Sequence, residues 1–257
     1  IGSTSNDENN SNNLVLVDFD KHQKVLKDLG QLVKNKGYNF GTFTNILCHG
    51  HTVYAIGIDD PANPLTLLRI SLVDDSVHIY NKSTAGTKFE KYISKAEPMK
   101  FKTNTEGMDA YGFLYRPKNP DYTPDGKEKP PLLMRVHGGP TGSASRSLDM
   151  KAQYFTSRGF AVFDIDYRGS SGYGRDFRKA LYGKWGVYDL DDAISAAKHL
   201  IREGIVDKNK LAINGGSAGG YTTMSMMVFK KCFNAGVSYY GISDLSQLIK
   251  HTHKFES

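Results

Sequence analysis

The sequence predicts an α/β fold: a mostly parallel sheet covered by helices on both faces, with a run of antiparallel strands ahead of it. Three observations carry that prediction. From residue 132 onward, short apolar runs of strand character alternate with helical stretches. Between residues 43 and 80, β-rich runs succeed one another with only turns between them. Gly215-Gly-Ser-Ala-Gly219 stands where a strand ends and a helix begins.

In chain order, residues 1–13 are almost all Ser, Asn, Asp, Glu, Gly and Thr, too polar to bury a core, and are expected as loop or disordered chain. Residues 14–18 are a short β-rich run. Further runs at 43–48, 52–58, 65–70 and 76–80 are separated by turn signals at His49-Gly50-His51, Asp59-Asp60-Pro61 and Asp74-Asp75. The runs from 43 to 80 would make about one blade of a β-propeller, so 14–95 is assigned to the end of a propeller domain. Residues 96–257 form the second domain. Runs 99–102 and 109–115 flank Asn104-Thr-Glu-Gly107, a hairpin signal. The Pro, Lys, Asp and Gly of 117–131 mark an exposed connection. Then come strand 132–136, helix 148–158, strand 160–166, helix 189–203, strand 211–214, helix 217–230 and strand 235–240. Helix 189–203 is amphipathic, with Leu190, Ala193, Ile194, Ala197, Leu200 and Ile201 on one face. Asp189 stands near its start and Gly204 just past its end.

Composition narrows the class. With 39% hydrophobic and 23% charged residues the chain reads as globular. The net charge of +6 is scattered, with a single Lys pair at 230–231, which fits a mixed solvated surface and argues against a nucleic-acid partner. No apolar run reaches the length of a membrane span. No signal peptide is legible in a chain that opens on Ile1. Cys48 and Cys232 lie far apart, which excludes a disulfide scaffold and suits a reducing, cytoplasmic setting.

The chemistry centres on Ser217. Gly215-Gly-Ser-Ala-Gly219 matches G-x-S-x-G, a modest signal in a glycine-rich chain, where an incidental serine in a glycine turn is the bland alternative. Its placement favours a nucleophile elbow. The turn is too sharp for bulky neighbours, and Gly215 and Gly219 meet that demand, while the helix N-terminus favours negative charge. Acyl transfer also needs an oxyanion hole. One donor is expected from the Ala218 N–H, and the other from the loop after strand 132–136, His137-Gly-Gly-Pro140, where the Gly139 N–H is the candidate. His137 is assigned to shaping that loop, because the hydrolase chain order is Ser, then acid, then His.

Several strings in the right order now make a family recognisable. They are His137-Gly-Gly-Pro140, Asp166-Tyr-Arg-Gly-Ser-Ser-Gly-Tyr-Gly174, Gly183-Lys-Trp-Gly186 with Asp189 and Asp192, Gly215-Gly-Ser-Ala-Gly-Gly-Tyr221, and Tyr240-Gly-Ile-Ser-Asp244. Residues 96–257 closely resemble the prolyl oligopeptidase family of serine peptidases, its acylaminoacyl-peptidase and dipeptidyl-peptidase-like branch. The resemblance implies an α/β-hydrolase domain behind a β-propeller that limits access to small peptides. It implies a peptidase acting through an acyl-enzyme on Ser217, releasing acylated amino acids or dipeptides from peptide N-termini. It implies short peptide substrates, no cofactor and no metal. Family members with Tyr at the position of His137 use its hydroxyl on the oxyanion; with His137 here, the Gly139 N–H takes that place. The string from Tyr167 to Tyr173, Trp185, Asp189 and Asp192 are assigned to architecture. Tyr240, Ile242 and Leu245 are candidates for a substrate pocket, and equally for core.

The family places its acid and histidine well beyond residue 257, so the chain is expected to be a fragment, truncated at its C-terminus and inactive by itself. Asp244, His251 and His253 could be taken for substitutes, but a base must reach the Ser217 hydroxyl, and the histidine loop normally follows a later strand. His251-Thr-His253 lacks the partners of a metal site. Two other functions stay open: a carboxylesterase or lipase-type hydrolase on the same fold, and a non-catalytic interaction protein.

Overall fold

The computed structural model describes residues 2–6, 11–18, 20, 24–58, 65–82, 87–122 and 128–251. It contains three sheets. The first joins β1 (Gly2–Asn6), β2 (Ser11–Asp18) and β3 (Lys24–Asp28) as antiparallel neighbours, and α1 (Leu29–Asn35) follows. The expectation of loop or disordered chain over 1–13 is therefore corrected for residues 2–6 and 11–13. A polar composition rules out a core, but it leaves backbone N–H and C=O groups free to pair, and the β1–β2 ladder from Gly2↔Val15 to Asn6↔Ser11 is such pairing. Asp28 caps α1, accepting the Gln31 N–H at 2.7 Å.

The second sheet is a four-stranded antiparallel meander in the order β4 (Thr42–His49), β5 (Thr52–Ile58), β6 (Thr66–Ser71), β7 (Val77–Lys82). The inward residues alternate along β5, with Val53 and Ala55 fully buried. With Leu14, Leu29, Val33, Phe43, Leu68 and Ile70 they form one apolar cluster shared with the first sheet and α1.

The third sheet has six strands: β8 (Ala96–Lys102), β9 (Asp109–Tyr115), β10 (Leu132–Val136), β11 (Ala161–Asp166), β12 (Leu211–Gly216) and β13 (Ala235–Tyr239). Their order across the sheet is β13-β12-β10-β11-β9-β8. The β10–β11, β10–β12 and β12–β13 pairs are parallel, and the β8–β9 hairpin lies antiparallel on β11. Every residue of β11 is buried, as expected for a central strand covered on both faces. One face packs against α4 (Tyr188–Arg202), whose Leu190, Ala193, Ala197 and Leu200 meet Met134, Phe163 and Ile213. The other face meets α2 (Met150–Thr156) through Ala152, against Leu133 and Val162. The short α3 (Arg175–Lys179), then α5 (Ala218–Ser225) and α6 (Leu245–His251), complete the set. A mixed sheet with helices on both faces and a serine at a strand-to-helix turn is the α/β-hydrolase arrangement.

Candidate active site

Ser217 occupies the single-residue turn between β12 and α5. Its φ of 54° and ψ of −120° lie outside the helical and strand regions, a strained conformation for a side chain with a β-carbon. Its neighbours had to be glycine. A Cβ at Gly219 would stand 2.1 Å from the Val136 carbonyl oxygen, and one at Gly215 would stand 2.4 Å from the Gly219 carbonyl oxygen. Two backbone bonds fix the turn: the Ser217 N–H donates to the Tyr239 carbonyl at 3.1 Å, and the Tyr221 N–H donates to the Ser217 carbonyl at 3.1 Å. The Ser217 amide is thus committed to β13, while the Ala218 N–H, at the start of α5, has no intrahelical acceptor. Among the described residues the Ser217 hydroxyl has no hydrogen-bond partner.

The loop after β10 reaches the same place. A Cβ at Gly138 would lie 3.1 Å from the Gly216 carbonyl oxygen, 3.3 Å from the Ser217 Cβ and 3.9 Å from the Ala218 nitrogen. The peptide linking Gly138 to Gly139 is therefore beside Ser217, and Gly139 has a φ of 126°, open to glycine alone. His137 turns away. Its Nδ1 is 2.9 Å from the Gly138 carbonyl, its Nε2 is 2.7 Å from Ser170 Oγ, and its ring stacks on Tyr167 at 4.5 Å. Burial pushes its pKa down to about 4, so the ring is neutral at ordinary pH.

The segment 166–173 underlies this loop. Tyr167 donates its hydroxyl to the Pro140 carbonyl at 2.7 Å, and the Ser171 N–H donates to the Gly142 carbonyl at 2.8 Å. Asp166, fully buried, accepts the Ala144 N–H on Oδ1 and the Tyr173 hydroxyl on Oδ2, each at 2.7 Å. Beneath it Arg168, also fully buried, pairs with Asp192, with Nη2 to Oδ1 at 2.6 Å, and lies over the Tyr188 ring. Asp189 accepts the Gly186 N–H at 2.7 Å and the Thr222 hydroxyl at 2.6 Å, tying α4 to α5. On the α2 face Arg135 bridges Asp164 and Asp149, and the two carboxylates hold its guanidinium charged.

A cleft of about 770 Å³ opens beside the turn, lined among others by Gly215, Gly216, Tyr239, Tyr240, Tyr154 and Arg135. Of the three candidate pocket residues only Tyr240 lines it. Tyr240 is 85% exposed, with a φ of 41°, and its hydroxyl lies against Gly216. Ile242 and Leu245 are half-buried outside the cleft, because the chain turns away at Gly241 to start α6. Asp244 caps that helix, accepting the Ser246 hydroxyl at 2.7 Å and the Ser246 N–H at 2.8 Å, which together hold its carboxyl below the usual range. His253 lies outside the described residues. Among the described residues there is no cluster of metal-ligating side chains, and no helix long and apolar enough to cross a membrane. The string 166–173 was visible in the sequence, but its hydrogen bonds to the 137–144 loop were not.

Comparison with known proteins places this geometry. Residues 146–257 match the model described as the prolyl oligopeptidase family. The dipeptidyl aminopeptidase BIII of Pseudoxanthomonas mexicana is 36% identical over 140 residues, which are 53% of this chain and 20% of that protein. An acylamino-acid-releasing enzyme of Arabidopsis thaliana is 38% identical over 97 residues, 38% of this chain and 13% of the enzyme. Among solved structures, a puromycin-hydrolyzing peptidase of Mycobacterium tuberculosis superposes with a TM-score of 0.85 at 35% identity. That match covers 99% of this chain and 37% of the peptidase, so the chain spans a minor part of the relatives it matches.

Proposed function

From the match of residues 146–257 to the prolyl oligopeptidase family we propose that this chain carries the nucleophile and the oxyanion loop of a serine peptidase acting on short peptides. The observation that carries the reading is the meeting of Ser217, on a strained turn at the head of α5, with the Gly138–Gly139 peptide. In this reading the Ser217 hydroxyl attacks the scissile carbonyl. The Ala218 and Gly139 N–H groups hold the oxygen as it becomes negative, where preorganised donors count most. The Ser217–carbonyl bond then forms the acyl-enzyme, the amine leaves with a proton, and water releases the acid. This reading also calls for an imidazole to take the Ser217 proton and a carboxylate to orient it; His137 is committed to Ser170 and the loop.

The finer assignment is release of acylated amino acids or dipeptides from peptide N-termini, supported by what the relatives' names say of them. In this reading Tyr240, whose hydroxyl lies against Gly216 next to Ser217, contacts the substrate. The two free thiols, Cys48 and Cys232, fit a reducing compartment such as the cytoplasm.

A fluorophosphonate probe tests the reading in the native protein. Labelling of the wild type and none of Ser217→Ala is expected; equal labelling of both would end it. Peptide anilides and simple esters then separate peptidase from esterase, because turnover of the ester alone would overturn the peptidase assignment.

A further inference from the structure

The 137–144 loop has no helix or strand of its own, yet one of the two candidate oxyanion donors, the Gly139 N–H, depends on where it sits. Its near end is fixed by β10. Its middle is held by contacts between neutral groups: Tyr167 to Pro140, Ser171 to Gly142 and Thr141, and His137 to Ser170. Its far end, Ala144, is held by a carboxylate, Asp166, at the end of β11. The Asp166 side chain is fully buried and, among the described residues, has no cationic partner at hydrogen-bonding distance; His137 Nε2, neutral, is 3.6 Å from Oδ1. A buried carboxyl without a counter-ion is costly to keep, because desolvation disfavours its charged form.

We propose that Asp166 is the positioning residue of the oxyanion loop, its ionised carboxylate pulling the Ala144 N–H inward and so holding Gly138 and Gly139 against Ser217. The proposal rests on the hydrolase reading for its catalytic consequence, and on geometry alone for the loop. Tyr173 supports it: its hydroxyl donates to Asp166, and its ring is stacked on Tyr111 at 4.2 Å and packed on Phe177. The groups that face the carboxyl are His137 from the loop, Tyr167 and Tyr173 from the segment after β11, and Asp164 on β11 itself. Arg146, beyond the loop's far end, acts on Tyr173. Burial raises the Asp166 pKa to about 7, against the pull of the Ala144 and Tyr173 donors. The carboxylate therefore gains its proton near neutral pH, and the charge-assisted bond to Ala144 weakens as it does.

The experiment compares wild type, Asp166→Asn and Tyr173→Phe in the native protein. Asparagine keeps the shape and mimics the neutral acid. The ratio of wild-type to Asp166→Asn kcat should be near one below about pH 6 and rise to about tenfold above about pH 8, with KM nearly unchanged. Taking the ratio cancels any titration of the catalytic base. Tyr173→Phe removes a donor from the carboxylate and should shift the acid limb of the wild-type profile to higher pH. Hydrogen exchange over residues 137–146 should speed up in Asp166→Asn at high pH and match wild type at low pH. A ratio that does not change with pH, a loss confined to KM, or unchanged exchange in the loop would each overturn the proposal. If the wild type takes up no fluorophosphonate, the hydrolase reading fails, while the exchange measurement still decides the loop.

Discussion

Two stretches of backbone converge on Ser217 and are held there by opposite means. The turn 215–219 is fixed by steric exclusion: Gly215 and Gly219 leave carbonyl oxygens where any β-carbon would stand. The loop 137–144 is fixed by attraction, through hydrogen bonds from side chains of 166–173. Exclusion leaves a trace in the sequence, because only glycine satisfies it. Attraction between positions some twenty to thirty residues apart leaves far less. The first device is independent of pH, whereas the second contains a buried carboxyl and is not.

Substitutions can break this contrast in order of expected effect. Gly219→Ala should cost the most, more than about 4 kcal/mol, since neither the Val136 nor the His137 carbonyl can retreat without tearing β10 from the sheet. Loss of soluble protein or a collapsed melting temperature would report it. Asp192→Asn should cost about 3–5 kcal/mol, because Arg168 would keep its charge at zero exposure with its partner gone; urea unfolding at neutral pH measures this. Asp166→Asn should run the other way. A folded-state pKa raised to about 7 from the ordinary 3.8 means that folding is favoured by the proton: the contribution is fully present below about pH 4 and is lost as pH rises towards 7. The variant, which carries no such proton, should gain on the wild type by about 2–4 kcal/mol between those limits, seen as converging and then crossing melting curves. A difference constant with pH would contradict the burial argument. Tyr167→Phe should be the mildest. It removes one hydrogen bond to Pro140, at about 1 kcal/mol, and should slow Ser217 labelling more than it lowers stability.

What could be read from the sequence follows the same division. The alternation of strands and helices after residue 132 is printed as apolar periodicity, and β10, β11, β12 and α4 lie where it puts them. The polar β1 and the charged β3 carry no such period; their pairing is a backbone property that composition does not encode. Short helices such as α1, α3 and α6 are too brief for an amphipathic repeat. At the site, Ser217 and its glycines stood out, and so did His137-Gly-Gly-Pro140. Apolar character alone does not say on which side of a turn a residue falls, and Ile242 and Leu245 lie outside the cleft that Tyr240 lines. The positive φ of Tyr240, which aims its ring at Gly216, had no sequence signal at all.

The bond from the Ser217 N–H to the Tyr239 carbonyl has a mechanical consequence. Tyr240, one residue further along, forms a wall of the cleft. Ser217 and a wall of the cleft are therefore mounted on a single lever, one peptide long. Under the proposed peptidase reading, a ligand seated badly against the tyrosine would tug on the serine itself, and discrimination between substrates would be felt as reactivity as well as affinity.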